Sequence, residues 1–505
     1  MPSAAPTITP TAAGLLLAVA VLLPFIGVLF GFLLGGRKAQ HVAWATIVFG
    51  IATVLAITRS LLTLRAAVVY HLGGWAPPLG IALRADGLSV CMMLVVAVVV
   101  AAVAVYAHAD FDTPAGAREA RGPLSFWLLL LAVWGSLNLI FVSGDVFTLY
   151  VALELLTFAG VPLVALDGRG ETLRAALRYL LFALAGSMFY LLGAFLLYGV
   201  YGTLDIVLLA TDIKAEPVTW AAAALMTAGL LAKTALFPLH LWLPPAHAGA
   251  PAAASALLSG LVIKGSWFLV LRLWLDVFPV TATPAAAQWL AAFGASAIII
   301  GNCVALRQAR LKLLIAYSTV AQIGYLFLMF PLVAALDASR LASGPVVTGG
   351  LLQVVSHATA KAAMFMAAGL IYATLGHDRI ADLRGSARAL PLTVTAFVLA
   401  GASLVGLPPS GGFVAKWLLL SGATATAQWW WMLAMLAGGL LTSAYVFIVM
   451  VRSLAPAPAG WTAKRRVSAY QQWAVMALAQ CSFLLGFAVL LPIDIVQIGR
   501  TGAPP

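Results

Sequence analysis

The chain has 505 residues, 63% of them hydrophobic and 9% charged, a balance that excludes a string of soluble domains and marks a polytopic membrane protein. Its formal charge of +12 does not mark a nucleic-acid surface, because the basic residues sit in short connections between apolar runs, as the positive-inside rule requires. Cys91, Cys303 and Cys481 stand singly in or beside apolar segments, so no disulfide framework, zinc site or iron–sulfur centre is expected on this chain.

Apolar runs of about 20 residues, the length that crosses a ~30 Å hydrocarbon layer, recur from end to end. They predict an all-α polytopic fold of about 14 transmembrane helices, centred near residues 23, 52, 98, 133, 156, 188, 228, 262, 295, 322, 360, 403, 440 and 484. The first run has no basic stretch ahead of it and is read as a spanning helix, not as a cleaved signal peptide. Connections after odd-numbered helices hold 17 Lys and Arg, those after even-numbered helices hold 7, and Lys233, Lys264, Lys361 and Lys416 fall inside helices. That bias places the odd connections in the cytoplasm and both termini outside it.

Helices 1 to 3 are expected to occupy residues 1–110, a first five-helix unit 122–275, a second 284–454 and the last helix 470–505. In each unit the fourth helix is interrupted, at Pro238 in the first and at Pro408, within LPPSGG, in the second. Five is odd, so consecutive units cross the membrane in opposite senses. Inverted repeats with broken helices let freed backbone line a polar cavity near the midplane.

The segment from Thr227 to Trp274 concentrates this pattern, with one helix broken at Pro238, a second opened at Pro251, and a lysine in each, Lys233 and Lys264. An ammonium in hydrocarbon is costly, so an intramembrane lysine is by default a functional-site hypothesis. Among 16 acidic residues, Glu154 is the one clearly at mid-helix. A carboxylate alone there would stay neutral, whereas beside a lysine it ionises, which pairs Glu154 with Lys233. Separating unit charges from ~4 to ~8 Å at an effective dielectric of ~20 costs roughly 2 kcal/mol, enough to change the lysine's proton affinity more than tenfold. Movement within the pair is therefore a candidate switch for proton uptake and release.

Lys264, His357, Lys361 and Lys416 then read as further proton carriers across the second unit, histidine being suited by its ordinary pKa near ~6.5. Asp145 at a helix start, His247 in a Pro/Ala/Gly loop, and Pro238 and Pro408 at the breaks are relay or gate candidates. Plainer readings stand beside these: structural ion pairing for Glu154 and Lys233, pairing or snorkelling for Lys264 and Lys361, interfacial anchoring for Lys416, and capping or solvation for His247. His240 is expected to be structural. Trp429, Trp430 and Trp431 start helix 13 as an interfacial aromatic belt.

Five motifs occur in order: SGDVFTLYVALELLTFAGVPL with Glu154; AKTALFPLHLWLPPAHAGAPAAASALLSGLVIK with Lys233 and Lys264; LKLLIAYSTVAQIGY; SHATAKAAMFMAAG with His357 and Lys361; and GLPPSGGFVAKWLL with Lys416. Together they resemble the antiporter-like subunit family shared by respiratory complex I, membrane-bound hydrogenases, hydrogenase-4, formate hydrogenlyase and the Mrp cation/proton antiporters. The resemblance covers essentially the whole chain. It implies a fourteen-helix core with two inverted five-helix units, a glutamate in helix 5 paired with a lysine in helix 7, and a lysine in helix 8. It also implies a polar axis through helix 11 to an ionisable residue in helix 12. The stretch GGWAPPLGIALRADGLS resembles the D-type branch of the Mrp antiporter subunits and its hydrogenase relatives. One departure is Arg310, which stands where the family often has an acidic residue and puts the usual loop ion pair near Lys312 in question.

The resemblance implies a proton-translocating antiporter-like subunit of a multisubunit complex. The D-type subunit of an Mrp cation/proton antiporter, or its relative in a membrane-bound hydrogenase, is the leading expectation. A membrane-arm subunit of a complex I-type NADH-quinone oxidoreductase, and the membrane subunit of a two-component inorganic-carbon uptake system, are the alternatives. No nucleotide fingerprint or metal-ligand cluster is present in the sequence, so no cofactor and no redox or hydrolytic site is expected on this chain. The expected partners are other membrane subunits, protons, sodium or another monovalent cation, and the lipid bilayer of a prokaryotic inner membrane.

Overall fold

Proline and glycine divide the apolar sequence into helices wherever the backbone loses a donor or needs a conformation that a helix cannot supply. The computed structural model describes residues 11–114, 119–279, 282–336, 344–458, 462–487 and 495–499. Arg118, Arg340 and Arg500, used above in the charge count, and both chain ends lie outside those residues.

Helices α1 (Ala12–Leu34) and α2 (Gly36–Leu64) form an outer pair. Strands β1 (Val68–His71) and β2 (Ala82–Ala85) then pair antiparallel, with Val68 opposite Ala85 and His71 opposite Ala82. Asp86 caps α3 (Gly87–Ala107) by accepting from the Ser89 amide at 2.9 Å. Next come α4 (Arg121–Val142), α5 (Val146–Val164), α6 (Gly170–Tyr201) and the short α7 (Ile206–Asp212). Helix α8 (Pro217–Thr234) stops at Ala235, which adopts a φ of 57°, and irregular turns containing Pro238 lead to α9 (Leu243–Gly249).

Helices α10 (Ala252–Leu257) and α11 (Ile263–Arg272) are joined by a π-helical turn, Leu258–Val262, and followed by another, Leu273–Val277. Then come α12 (Pro284–Leu306), α13 (Leu311–Phe327) with α14 (Met329–Ala334), α15 (Pro345–Leu375) and the single turn α16 (Ser386–Ala389). The second break separates α17 (Pro391–Val405) from α18 (Gly411–Ala425). Pro408 and Pro409 occupy the turn, and the Ser410 hydroxyl restarts the helix by accepting from the Phe413 amide at 3.1 Å. The long α19 (Trp429–Leu454) and α20 (Ala469–Leu484) complete the described helices.

Among the described residues, 11 helices are long and apolar enough to cross a membrane, and the chain is a membrane protein. The pairs α8/α9 and α17/α18, together with α20, stand where the seventh, twelfth and fourteenth helices were expected. Burial grades the bundle: the apolar window within Ala252–Val277 is 100% buried and that of Pro345–Leu375 89%, against 28% for Gly36–Leu64. The helices that carry Lys264 and Lys361 are therefore central and α2 is peripheral.

Several residues counted above as connections lie within helices. Arg174 and Arg178 are on α6, Arg272 ends α11 and Lys312 opens α13. An apolar run ends at its first charge, but helical hydrogen bonding continues through it. The hairpin and both π-helical turns were not anticipated.

Candidate functional site

Asp145 caps α5, its carboxylate accepting from the Thr148 amide at 2.7 Å and from the Thr148 hydroxyl at 2.9 Å. Further along α5, on a partly buried face, lies Glu154. It meets Lys233 because α6 and α8 cross backbone to backbone. A Cβ on Gly186 would lie 2.6 Å from the Gly229 carbonyl oxygen, and one on Gly229 would lie 2.2 Å from the Gly186 carbonyl oxygen. That approach puts Ser187 of α6 and Lys233 in the last turn of α8 against the same stretch of α5.

The Lys233 ammonium donates to Glu154 Oε1 at 3.2 Å, to Thr157 Oγ1 at 2.9 Å and to the Leu153 carbonyl at 3.4 Å. The Ser187 hydroxyl donates to Glu154 Oε1. Lys233 is buried, and a buried ammonium is tolerated only when a counter-charge and further acceptors replace its water. Lys233 also lines a small cavity with Tyr179, Val262 and Ser266, which reaches the rod formed by α10 and α11.

On that rod Lys264 is buried and donates to the Ser259 carbonyl, inside the first π-helical turn. Ser259 shares a hydroxyl hydrogen bond of 2.9 Å with Thr319 of α13. On α15, Lys361 donates to the Ser318 hydroxyl and to the Ile315 carbonyl at 3.1 Å. His357, one turn earlier, is fully buried with neither ring nitrogen bonded to a partner among the described residues, and Lys264, Lys361 and Lys416 lie within electrostatic reach of it.

His247 is likewise buried, both ring nitrogens without a partner among the described residues, and it stacks on Phe365 at 4.5 Å between centroids. Lys312, Lys361 and Lys264 surround it electrostatically. It is thus no solvated loop residue. His240 packs instead against Phe237, at 5.4 Å between centroids.

At the second break Lys416 donates to the carbonyls of Leu404 at 2.6 Å and Val405 at 3.1 Å, and its ammonium lies 4.4 Å from the Tyr325 ring centroid. Pro238 and Pro408 lie in the turns of the two breaks. Trp429 and Trp430 are exposed, whereas Trp431 turns inward and donates to Gln288 Oε1 at 3.0 Å.

The Arg310 departure has its own counterpart. Arg310 Nε donates to Asp378 Oδ1 at 3.0 Å, while the neighbouring Lys312 ammonium donates to the Ala250 carbonyl. The acidic partner therefore comes from the connection after α15.

Sequence reasoning missed a second buried charge cluster. Arg272 donates to Asp86 at 2.5 Å through both Nη atoms, to Asp276 at 2.9 Å and to the Ser89 hydroxyl at 2.9 Å. The four-residue spacing of Arg272 and Asp276 in an apolar run was the available signal.

Comparison with known proteins follows from this geometry. The profile of the family described as NADH:quinone oxidoreductase/Mrp antiporter, TM, matches residues 143–442, which contain Glu154 and every lysine above. The chain belongs to this family. It is 37% identical over 390 residues to NADH-quinone oxidoreductase subunit N of Desulforudis audaxviator, covering 75% of this chain and 74% of the relative. It is 28% identical over 436 residues to the D-type subunit of the Na(+)/H(+) antiporter of Alkalihalophilus pseudofirmus, covering 85% and 84%. Its fold is similar to that of a chain in the Mrp complex from Dietzia sp., with a TM-score of 0.84 over 96% of both chains at 23% identity.

Proposed function

We propose that this chain is the proton-translocating subunit of a multisubunit membrane complex. The observation that carries the reading is the ion pair of buried Lys233 with partly buried Glu154, set beside a row of buried basic residues, Lys264, His357, Lys361 and Lys416. In this reading Glu154 alternates between contact with Lys233 and withdrawal from it, and Lys233 changes its proton affinity accordingly. Lys264, Lys361 and His357 pass the proton along the central helices, and Lys416 delivers it at the second break. Asp145 holds the start of α5, while His247 joins the row beside Lys312.

The two broken helices belong to two inverted five-helix units, and the chain sits in a prokaryotic inner membrane with both termini outside the cytoplasm. The antiporter arrangement, in which proton flow is exchanged for sodium or another monovalent cation beside further membrane subunits, rests on the relatives named as D-type subunits of Na(+)/H(+) antiporters. A redox-linked arm is the second reading. It is favoured by the 37% identity to a relative named NADH-quinone oxidoreductase subunit N.

The test is reconstitution of the assembled complex in sealed vesicles, with proton flux compared between wild type and the variants Glu154→Gln and Lys233→Ala. Both variants are expected to assemble and lose translocation. Normal flux from both would end the proposal and leave a structural or anchoring role.

A further inference from the structure

A cavity of about 610 Å3 opens at the end of the bundle where α5 ends and α6 and α13 begin. Its charges are unevenly matched. Arg169 pairs with Asp167, Arg310 with Asp378, and Arg465 with Asp110 at 3.5 Å. Burial pushes the Asp110 carboxyl above its ordinary range, and Arg465 opposes that rise. Lys312 at the cavity floor is bound to the Ala250 carbonyl.

Arg174 and Arg178 remain. Both line the cavity from α6, and neither has an ion pair or side-chain hydrogen bond among the described residues. Glu171 lines it too, one turn before Arg174, without pairing to either arginine. Arg174 and Arg178 are in the second and third turns of α6 and exposed on the concave wall, so the wall offers two cations to an external anion.

The same helix says what kind of anion. Leu173, Leu177, Leu181, Leu184 and Met188 are all exposed on α6, immediately beside the arginine pair and running from it along the bundle. From Leu173 to Met188 this stripe is about 22 Å long at about 1.5 Å per residue, long enough to line one ~15 Å leaflet of hydrocarbon. A soluble anion would use the arginines and leave the stripe unused.

We propose that Arg174 and Arg178 bind the phosphate of an acidic phospholipid whose acyl chains lie along the exposed face of α6. Basic pockets beside membrane helices recognise anionic headgroups in this way. The site is independent of the translocation reading, since neither arginine contacts Glu154 or the buried lysines in any hydrogen bond or ion pair of the structure.

The test is native mass spectrometry of the full chain, purified with its associated subunits and exchanged into neutral phosphatidylcholine nanodiscs doped with phosphatidylglycerol or cardiolipin. Wild type is expected to retain acidic lipid, and Arg174→Gln/Arg178→Gln to lose it by roughly 30-fold, from about fivefold per cation. Arg174→Lys/Arg178→Lys is expected to keep most of the binding, which separates loss of charge from misfolding. Equal retention by wild type and the Gln variant would overturn the proposal. So would complete displacement of the lipid by millimolar inorganic phosphate, which marks a free-anion site. A photo-crosslinker at Leu177 should label lipid, and exclusive labelling of a neighbouring protein would overturn the proposal as well.

Discussion

The two broken helices hold their lysines by different means. At the first, Lys233 faces a carboxylate, Glu154, at 3.2 Å, with a hydroxyl and a carbonyl completing its shell. At the second, Lys416 faces, among the described residues, only the Leu404 and Val405 carbonyls and the Tyr325 ring. Those carbonyls belong to the last turn of α17, where the helix dipole is negative and the break leaves them without helical donors. A carboxylate can move, take a proton and change its charge, whereas carbonyls and an aromatic face cannot. One break therefore carries an adjustable counter-charge and the other a fixed one. Lys264 and Lys361, held by carbonyl and hydroxyl oxygens, follow the second pattern. In the proposed mechanism, control is therefore concentrated at Glu154.

The largest expected effect comes from breaking the adjustable partner. Glu154→Gln should leave Lys233 buried without a counter-charge, abolish proton flux and destabilise the chain by on the order of 3–5 kcal/mol. Thermal unfolding of the assembled complex measures the second effect, and flux into vesicles the first. The double variant Glu154→Gln/Lys233→Met should recover part of the lost stability but none of the flux. Additive losses would dissolve the contrast between the two breaks.

Lys416→Met is expected to cost less stability, about 1.5–3 kcal/mol for hydrogen bonds to a charged group, because no carboxylate is stranded. Next is Tyr325→Leu, which removes the cation–π contact and should cost about 0.5–2 kcal/mol, together with the bond from its hydroxyl to the Met435 carbonyl at 3.0 Å. Tyr325→Phe keeps the ring and should leave Lys416 unaffected, so equal flux defects in the two variants would argue against a role for the ring. The smallest effect should be that of Ser187→Ala, about 0.5–1.5 kcal/mol for one lost hydrogen bond to Glu154.

Much of this was legible in the chain. Pro238 and Pro408 mark the breaks because proline removes a donor wherever it falls. Asp145 marks a helix start by the same local logic, and Glu154 announces a lysine partner because a carboxylate alone in hydrocarbon would stay neutral. The rest was hidden for physical reasons. The π-helical turn that holds Lys264 uses residues that would serve equally in an α-helix, and a rod buried on all sides has no amphipathic period to disturb. The hairpin of Val68–His71 and Ala82–Ala85 is too short to stand out between two spans. His247, read as a loop residue as readily solvated as functional, is buried because α9 folds back into the bundle and stacks it on Phe365. Asp378 as the partner of Arg310 depends on two connections meeting from distant parts of the sequence, which spacing cannot reveal.

The crossing of Gly186 and Gly229 restricts how the pair at Glu154 can operate. With no room for even one methyl group between the two backbones, α6 and α8 cannot slip past each other by a residue without driving Ala228 or Leu230 into the opposing chain. They form a single stiff wall on which Lys233 is mounted. In the proposed mechanism the ion pair then opens by a movement of Glu154 or of α5 against that wall, as a door moves on a fixed frame.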